Sequence, residues 1–134
     1  MLNITLSGGY TSESGGLKPI HDMHNPSEKR LLDILELLRE GYGFLSMDKG
    51  NKNNLGPQQL EVYSEGGRYM LLFGVIDEDG EYEVKTLYYP NEGGMVIMHG
   101  EPYPAHAIGA DFSPIIAACK EFLSTGDIVD VPLD

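Results

Sequence analysis

Between residues 59 and 88 the chain alternates apolar and polar residues in short runs, broken by Gly66-Gly67 and Asp79-Gly80. Such runs, joined by residues that turn a backbone sharply, predict consecutive antiparallel hairpins. Gln59–Tyr63 alternates cleanly, Arg68–Ile76 is mostly apolar as a central strand is, and Tyr82–Tyr88 alternates again. Phe44–Met47 and Met95–Met98 extend the pattern on either side, separated from it by the polar loop 48–54 and the breaker Pro90–Gly94. Leu2, Ile4 and Leu6 alternate with Asn3 and Thr5, which predicts a first strand with one buried face. From Ser7 to about residue 25 the chain reads as a Gly-, Ser- and Pro-containing loop, long enough to be mobile or to serve binding.

Two segments carry the other period. Leu31, Ile34, Leu35 and Leu38 recur at helical spacing, with Leu32 on the same broad stripe, and predict a helix over about 26–40. Asn25 is the expected cap, Pro26 the first helical residue, Glu28 the partner in a capping box, and Gly41 a left-handed stop. A second helix is expected over about 111–125, capped by Asp111, with Pro114 in its first turn and Gly126 at its end. Its stripe is Ile115, Ile116, Cys119, Phe122 and Leu123. The fold class is therefore α+β: a mainly antiparallel meander sheet with two helices packed on it, in a single domain over 1–134.

Charge narrows the function. The net charge is −12, and residues 1–60 hold six basic and seven acidic side chains, whereas 61–134 hold three basic and fourteen acidic. A half-chain at −11 repels phosphate backbones, which argues against direct nucleic-acid binding, and it speeds encounter with a cationic partner. The opposing reading is that acidity only maintains solubility. No apolar run approaches the roughly 18–20 residues that span a bilayer. Met1–Leu6 lacks the basic stretch and apolar core of a signal peptide, so a cytoplasmic location is expected.

Catalytic patterns are weak. No phosphate-binding glycine motif and no Gly-x-Ser-x-Gly elbow is present. Cys119 with His99 or His106 as base is conceivable, but its place on an apolar helical stripe favours a buried thiol. His21 and His24 flank Asp22-Met23 without a second pair of ligands, so no metal is expected. Asp77–Glu81 is too short for a calcium loop, and a hairpin turn explains it. No cofactor is implied. Tyr82 and Tyr88 are expected on one strand face, with Tyr89 on the other; half-buried packing and partner contact explain them equally well.

The C-terminal third carries the most specific pattern: Gly100-Glu101-Pro102-Tyr103-Pro104, then Asp111-Phe112, then Glu121 through Asp127. With Leu6–Tyr10 and Gly56–Leu60, it resembles the immunity proteins of bacterial polymorphic toxin systems, in particular the first-numbered immunity family and its relatives of unassigned function. Relatives often carry tryptophan where Tyr103 stands. The resemblance implies an N-terminal strand, an early helix and a meander, with Tyr103, Phe112 and Phe122 fixing the second helix to the sheet. It also implies no enzymatic activity but an inhibitor, as in contact-dependent growth inhibition, that neutralises a cognate nuclease or deaminase toxin domain. Against a cationic toxin groove the expected contacts are Asp77, Glu78, Asp79, Glu81, Glu83 and Tyr88, with Glu61, Glu65, Asp127 and Asp130 as a second group. The alternatives are a small hydrolase-like enzyme using His99 or His106 beside a carboxylate, and a regulatory module with a non-toxin partner.

Overall fold

The structure is a computed structural model and describes residues 2–11, 15–50, 55–91 and 93–134. Its strands are β1 (Ile4–Thr11), β2 (Leu17–His24), β3 (Tyr42–Lys49), β4 (Gly56–Glu65) and β5 (Arg68–Ile76), then β6 (Tyr82–Thr86), β7 (Met95–Met98), β8 (Glu101–Pro104) and β9 (Ile108–Gly109). The helices are α1 (Glu28–Arg39) and α2 (Ser113–Thr125). One antiparallel seven-stranded sheet runs β2-β1-β3-β4-β5-β6, with β9 on β5; β7 and β8 form a separate hairpin. The fold is α+β, as expected.

Alternation along each strand sorts side chains onto two faces. The register aligns Leu6 with Met47, Met47 with Leu60, and Leu60 with Phe73, and Leu45 with Val62 and Val62 with Leu71. These residues form the covered face. Leu31, Ile34, Leu35 and Leu38 of α1 and Ile115, Ala118, Cys119 and Phe122 of α2 bury against it. Phe122 meets Phe73 edge to face at 6.0 Å, and Phe112 lies 4.5 Å from Tyr69. Lys120 reaches Glu28 at 3.6 Å, tying the two helices together.

Several local expectations are corrected. The long loop after Ser7 is mostly strand: β1 continues to Thr11, and residues 17–24 return beside it as β2. Pro19 obscured this strand, and it is tolerated because β2 is an edge that needs no donor on its outer side. Residues 12–14 of that loop, and 51–54 of the loop after β3, lie outside the described residues.

Asn25 does not cap α1. Its backbone is left-handed, its N–H donates to the Ile4 carbonyl, and its Oδ1 accepts the Ile4 N–H at 2.7 Å, closing β2 onto β1. Ser27 is the cap, its Oγ accepting the Arg30 N–H at 3.1 Å. Nor is Gly41 left-handed; an added Cβ would sit 3.4 Å from the Thr11 carbonyl oxygen, so its value is close approach. Gly126 ends α2 as expected, in the left-handed conformation at φ 78°, but Phe112 rather than Asp111 holds the cap position, with Asp111 Oδ1 accepting the Ser113 N–H from one residue further back.

The last part of the chain departs from a simple meander. The strand at 82–88 ends at Thr86, whose N–H and carbonyl both bond to Asp134, so the tail lies along the β6 edge. Tyr89 turns inward, its Oη donating to the Asp111 carbonyl at 2.9 Å, while Tyr88 is left outward beyond the strand. The β7–β8 hairpin folds onto the opposite sheet face, where Met98 and Tyr103 pack with Met70. Tyr103 therefore does not join Phe112 and Phe122 under α2.

Candidate protein-binding face

Among the described residues, the sheet face turned away from the helices is covered by the β7–β8 hairpin alone. Register brings Thr5, Asp48 and Gln59 into one row; Ser7, Ser46, Glu61 and Leu72 into the next; and Gly9, Phe44, Tyr63 and Met70 into a third. Phe44 is 39% exposed and Tyr42 40%, too open for core positions. Tyr82 lies over Gly74, where an added Cβ would run into the phenol ring, so glycine makes room for an aromatic spanning the pleat.

A hydrogen-bonded frame runs across this face. The Tyr63 hydroxyl donates to Glu61 Oε2 at 2.8 Å, and Gln59 Nε2 donates to Glu61 Oε1 at 3.3 Å and lies 3.4 Å from the Tyr82 hydroxyl. Burial pushes the Tyr63 phenol far above its ordinary pKa; the bond to Glu61, the Glu61 charge and Tyr103 push the same way. Tyr63 therefore remains a hydrogen-bond donor. Beside the frame, Thr5, Ser7, Asp22, Ser46, Asp48 and Gly50 line a polar depression of about 440 Å³.

At the far end of this face the hairpin tip is pinned. His99, left-handed at φ 51°, donates its N–H to Glu65 Oε1 at 3.1 Å, and its Nε2 lies 2.9 Å from the Ser64 carbonyl oxygen. Its ring stacks on Tyr42 at 4.2 Å and meets Tyr63 edge-on at 5.2 Å. His106 stacks on Tyr88 at 5.4 Å. Both rings are engaged in packing. Cys119 is wholly buried, its thiol pushed up to about 12 by that burial, so it behaves as a small apolar side chain. Among the described residues no group of three or more His, Cys, Asp or Glu side chains converges as a metal site would require, and His24 contacts Thr5 at 3.1 Å. No helix among them is long and apolar enough to cross a membrane.

The ten partner-contact candidates are dispersed over the molecule. Glu61 and Glu65 are on the open face, Glu65 also pairing with Arg68 at 3.2 Å. Asp77, Glu78, Asp79 and Glu81 form the exposed β5–β6 turn, where Asp77 Oδ1 accepts the N–H groups of Asp79 and Glu81. Glu83 faces the helix side opposite Val75, and Asp127 shares a surface depression with Val75 and Lys85. The Asp130 N–H is held by the Glu121 carboxylate, and Tyr88 stands exposed outside the sheet. Residues 56–134 supply β4, β5, β6, the hairpin and α2, so these carboxylates fall on both faces of the sheet and on its connections. They do not share one face.

Sequence reasoning missed Tyr42, Phe44, Asp22, Asp48, Gln59, Tyr63 and Tyr82 as a set. The signal was present in the second member of each alternating pair, Tyr42-x-Phe44-x-Ser46-x-Asp48 and Gln59-x-Glu61-x-Tyr63, which faces away from the core.

An antiparallel sheet layered on one side by two helices, with a polar and aromatic face left open, defines an α+β protein of a known architecture. The family model that matches residues 3–131 is that of DUF6911, a family of unknown function, and the chain belongs to that family. A solved structure described as a hypothetical protein from Neisseria gonorrhoeae shares the fold, with a TM-score of 0.79 over 98% of this chain and 94% of that chain, at 22% sequence identity. No curated protein matches.

Proposed function

We propose that this protein is an immunity-type inhibitor that binds and neutralises a cationic, nucleic-acid-targeting toxin domain in the cytoplasm. The observation that carries this reading is the charge of the open sheet face. Asp22, Glu61 and Glu65 lie there, and among the described residues Arg68, placed beside them by strand register, is paired with Glu65. Exposed aromatic side chains beside carboxylates suit a basic protein surface, since tyrosine and phenylalanine offer contact area at low entropic cost and also attract cations. A nuclease or deaminase presents a cationic groove to its substrate, and an acidic protein competes for that groove by the same electrostatics. The resemblance of Gly100–Pro104, Asp111-Phe112 and Glu121–Asp127 to immunity proteins supports the same role.

The test is co-expression with the product of the adjacent upstream gene, scoring growth and co-purification. The reading expects that product to be toxic alone, harmless with this protein, and bound to it in a complex that weakens as salt rises. A neighbour that is harmless alone, or toxic in spite of co-expression, would refute it.

A further inference from the structure

Glu61 differs from the other open-face glutamate in what holds it: its two oxygens are positioned by neutral side chains, whereas those of Glu65 are taken by the His99 N–H and Arg68. Oε2 takes the Tyr63 hydroxyl and Oε1 takes the Gln59 amide. A carboxylate has about four acceptor sites, so each oxygen keeps room for one more donor. That arrangement matches the planar fork of a guanidinium, which donates two parallel N–H groups to one carboxylate. An ammonium offers a single charged point and gains much less from such positioning.

The surroundings favour the same guest. Ser46 and Leu72 stand directly across from Glu61 on the two flanking strands, a small residue that leaves the carboxylate accessible and an apolar one, half-buried against the β7–β8 cluster, that borders it with hydrocarbon. Phe44, on the diagonal from Glu61, is within reach as a stacking platform for a guanidinium plane. No described residue forms an ion pair with Glu61.

We propose that Glu61, framed by Tyr63 and Gln59 and flanked by Phe44, is a receptor for an arginine side chain of the cationic partner. This rests on the partner-binding reading above and makes it specific: the partner's anchor is arginine, and lysine does not replace it.

The test uses the intact protein and N-acetyl-arginine amide as probe, followed by NMR, with N-acetyl-lysine amide as control. Saturable shifts are expected at Phe44, Tyr63 and Tyr82, with lysine binding weaker by about fivefold or more because it lacks the fork. Glu61→Gln keeps an acceptor for the Tyr63 hydroxyl and the shape of the site while removing the charge, and it should abolish the shifts. Tyr63→Phe frees one oxygen of its positioning bond and should weaken arginine without affecting the lysine control. Equal shifts with both amides, or arginine shifts that survive in Glu61→Gln, would overturn the assignment. Either result leaves the inhibitor reading intact, since a cationic partner could dock through lysines. Loss of protection on co-expression would instead defeat that reading while arginine binding remained measurable.

Discussion

The two faces of the sheet are made from the same strands, residue by residue in alternation, and they obey different rules. On the covered face Leu45, Met47, Leu60, Val62 and Leu71 are wholly buried under α1 and α2. On the open face the intervening residues are Phe44, Ser46, Gln59, Glu61 and Leu72; Gln59 and the neighbouring Tyr63 bond to Glu61, and Phe44 reaches solvent. One face is held by volume and the other by hydrogen bonds. Substitutions should therefore cost stability on the first and partner affinity on the second.

The sharpest way to break this contrast is to truncate a phenylalanine on each side. Phe122→Ala removes a fully buried ring that packs on Phe73 and should cost about 3–5 kcal/mol in urea unfolding. Phe44→Ala on the open face should cost less than half as much. Equal losses would mean that the open face is as much a core as the covered one.

A second pair uses glycine. At Gly43 an added Cβ would meet the Gly9 carbonyl oxygen and sit 2.8 Å from Leu38 Cδ2, with backbone on one side and α1 on the other. Gly43→Ala should destabilise by about 1–3 kcal/mol, as overpacking does. At Gly74 the obstacle is the end of the Tyr82 side chain, 53% exposed and able to swing away, so Gly74→Ala should cost clearly less in the same thermal melt.

Titration sharpens the contrast next. Burial lifts the Cys119 thiol to about 12, and burial followed by the Asp111 charge lifts Tyr89 to about 12 as well. Both groups titrate at lower pH in the unfolded chain, at about 8.5 for cysteine and 10 for tyrosine. Their contribution is complete below those values and is lost as pH rises toward about 12, because the unfolded state releases protons that the folded state retains. Urea midpoints should fall across that alkaline range, and the thiol should stay unreactive to a thiol reagent until unfolding.

The smallest effect on stability is expected on the open face. Glu61→Lys should move the unfolding free energy by no more than about 0.5–1 kcal/mol, while slowing association with a cationic partner roughly tenfold at low salt. For comparison, Asp77 is an unsuitable probe of charge alone, since its carboxylate holds the β5–β6 turn. Reversals at Glu78 and Glu81 isolate that turn's electrostatic contribution.

Much of the fold was readable from local chemistry. β5 spans Arg68–Ile76 as expected, the α1 stripe is buried as its spacing required, and Gly66 and Gly67 both take positive φ in the turn they mark. What escaped was set by tertiary partners. Pro19 disguised an edge strand whose inner side pairs with β1. Asn25 has the side chain of a helix cap but closes a strand pair, with Ser27 two residues on supplying the cap. The hairpin of β7 and β8 folds onto the far face because Met98 and Tyr103 find Met70 there. The open face itself could not be assembled from one strand at a time, since Phe44 meets Tyr63, and Gln59 meets Tyr82, only through register. Acidity was visible as a property of the C-terminal half, yet its division among a turn, a tail and a sheet face required the fold.

Amide hydrogen exchange on the purified complex with the cationic partner, at fixed salt, tests the central claim most directly. New protection is expected in Tyr42–Asp48, Gln59–Tyr63 and Tyr82–Val84, and the exposed surfaces of α1 and α2 should exchange as in the free protein. Protection confined to those helices or to the acidic tail, with the open face unchanged, would contradict the account.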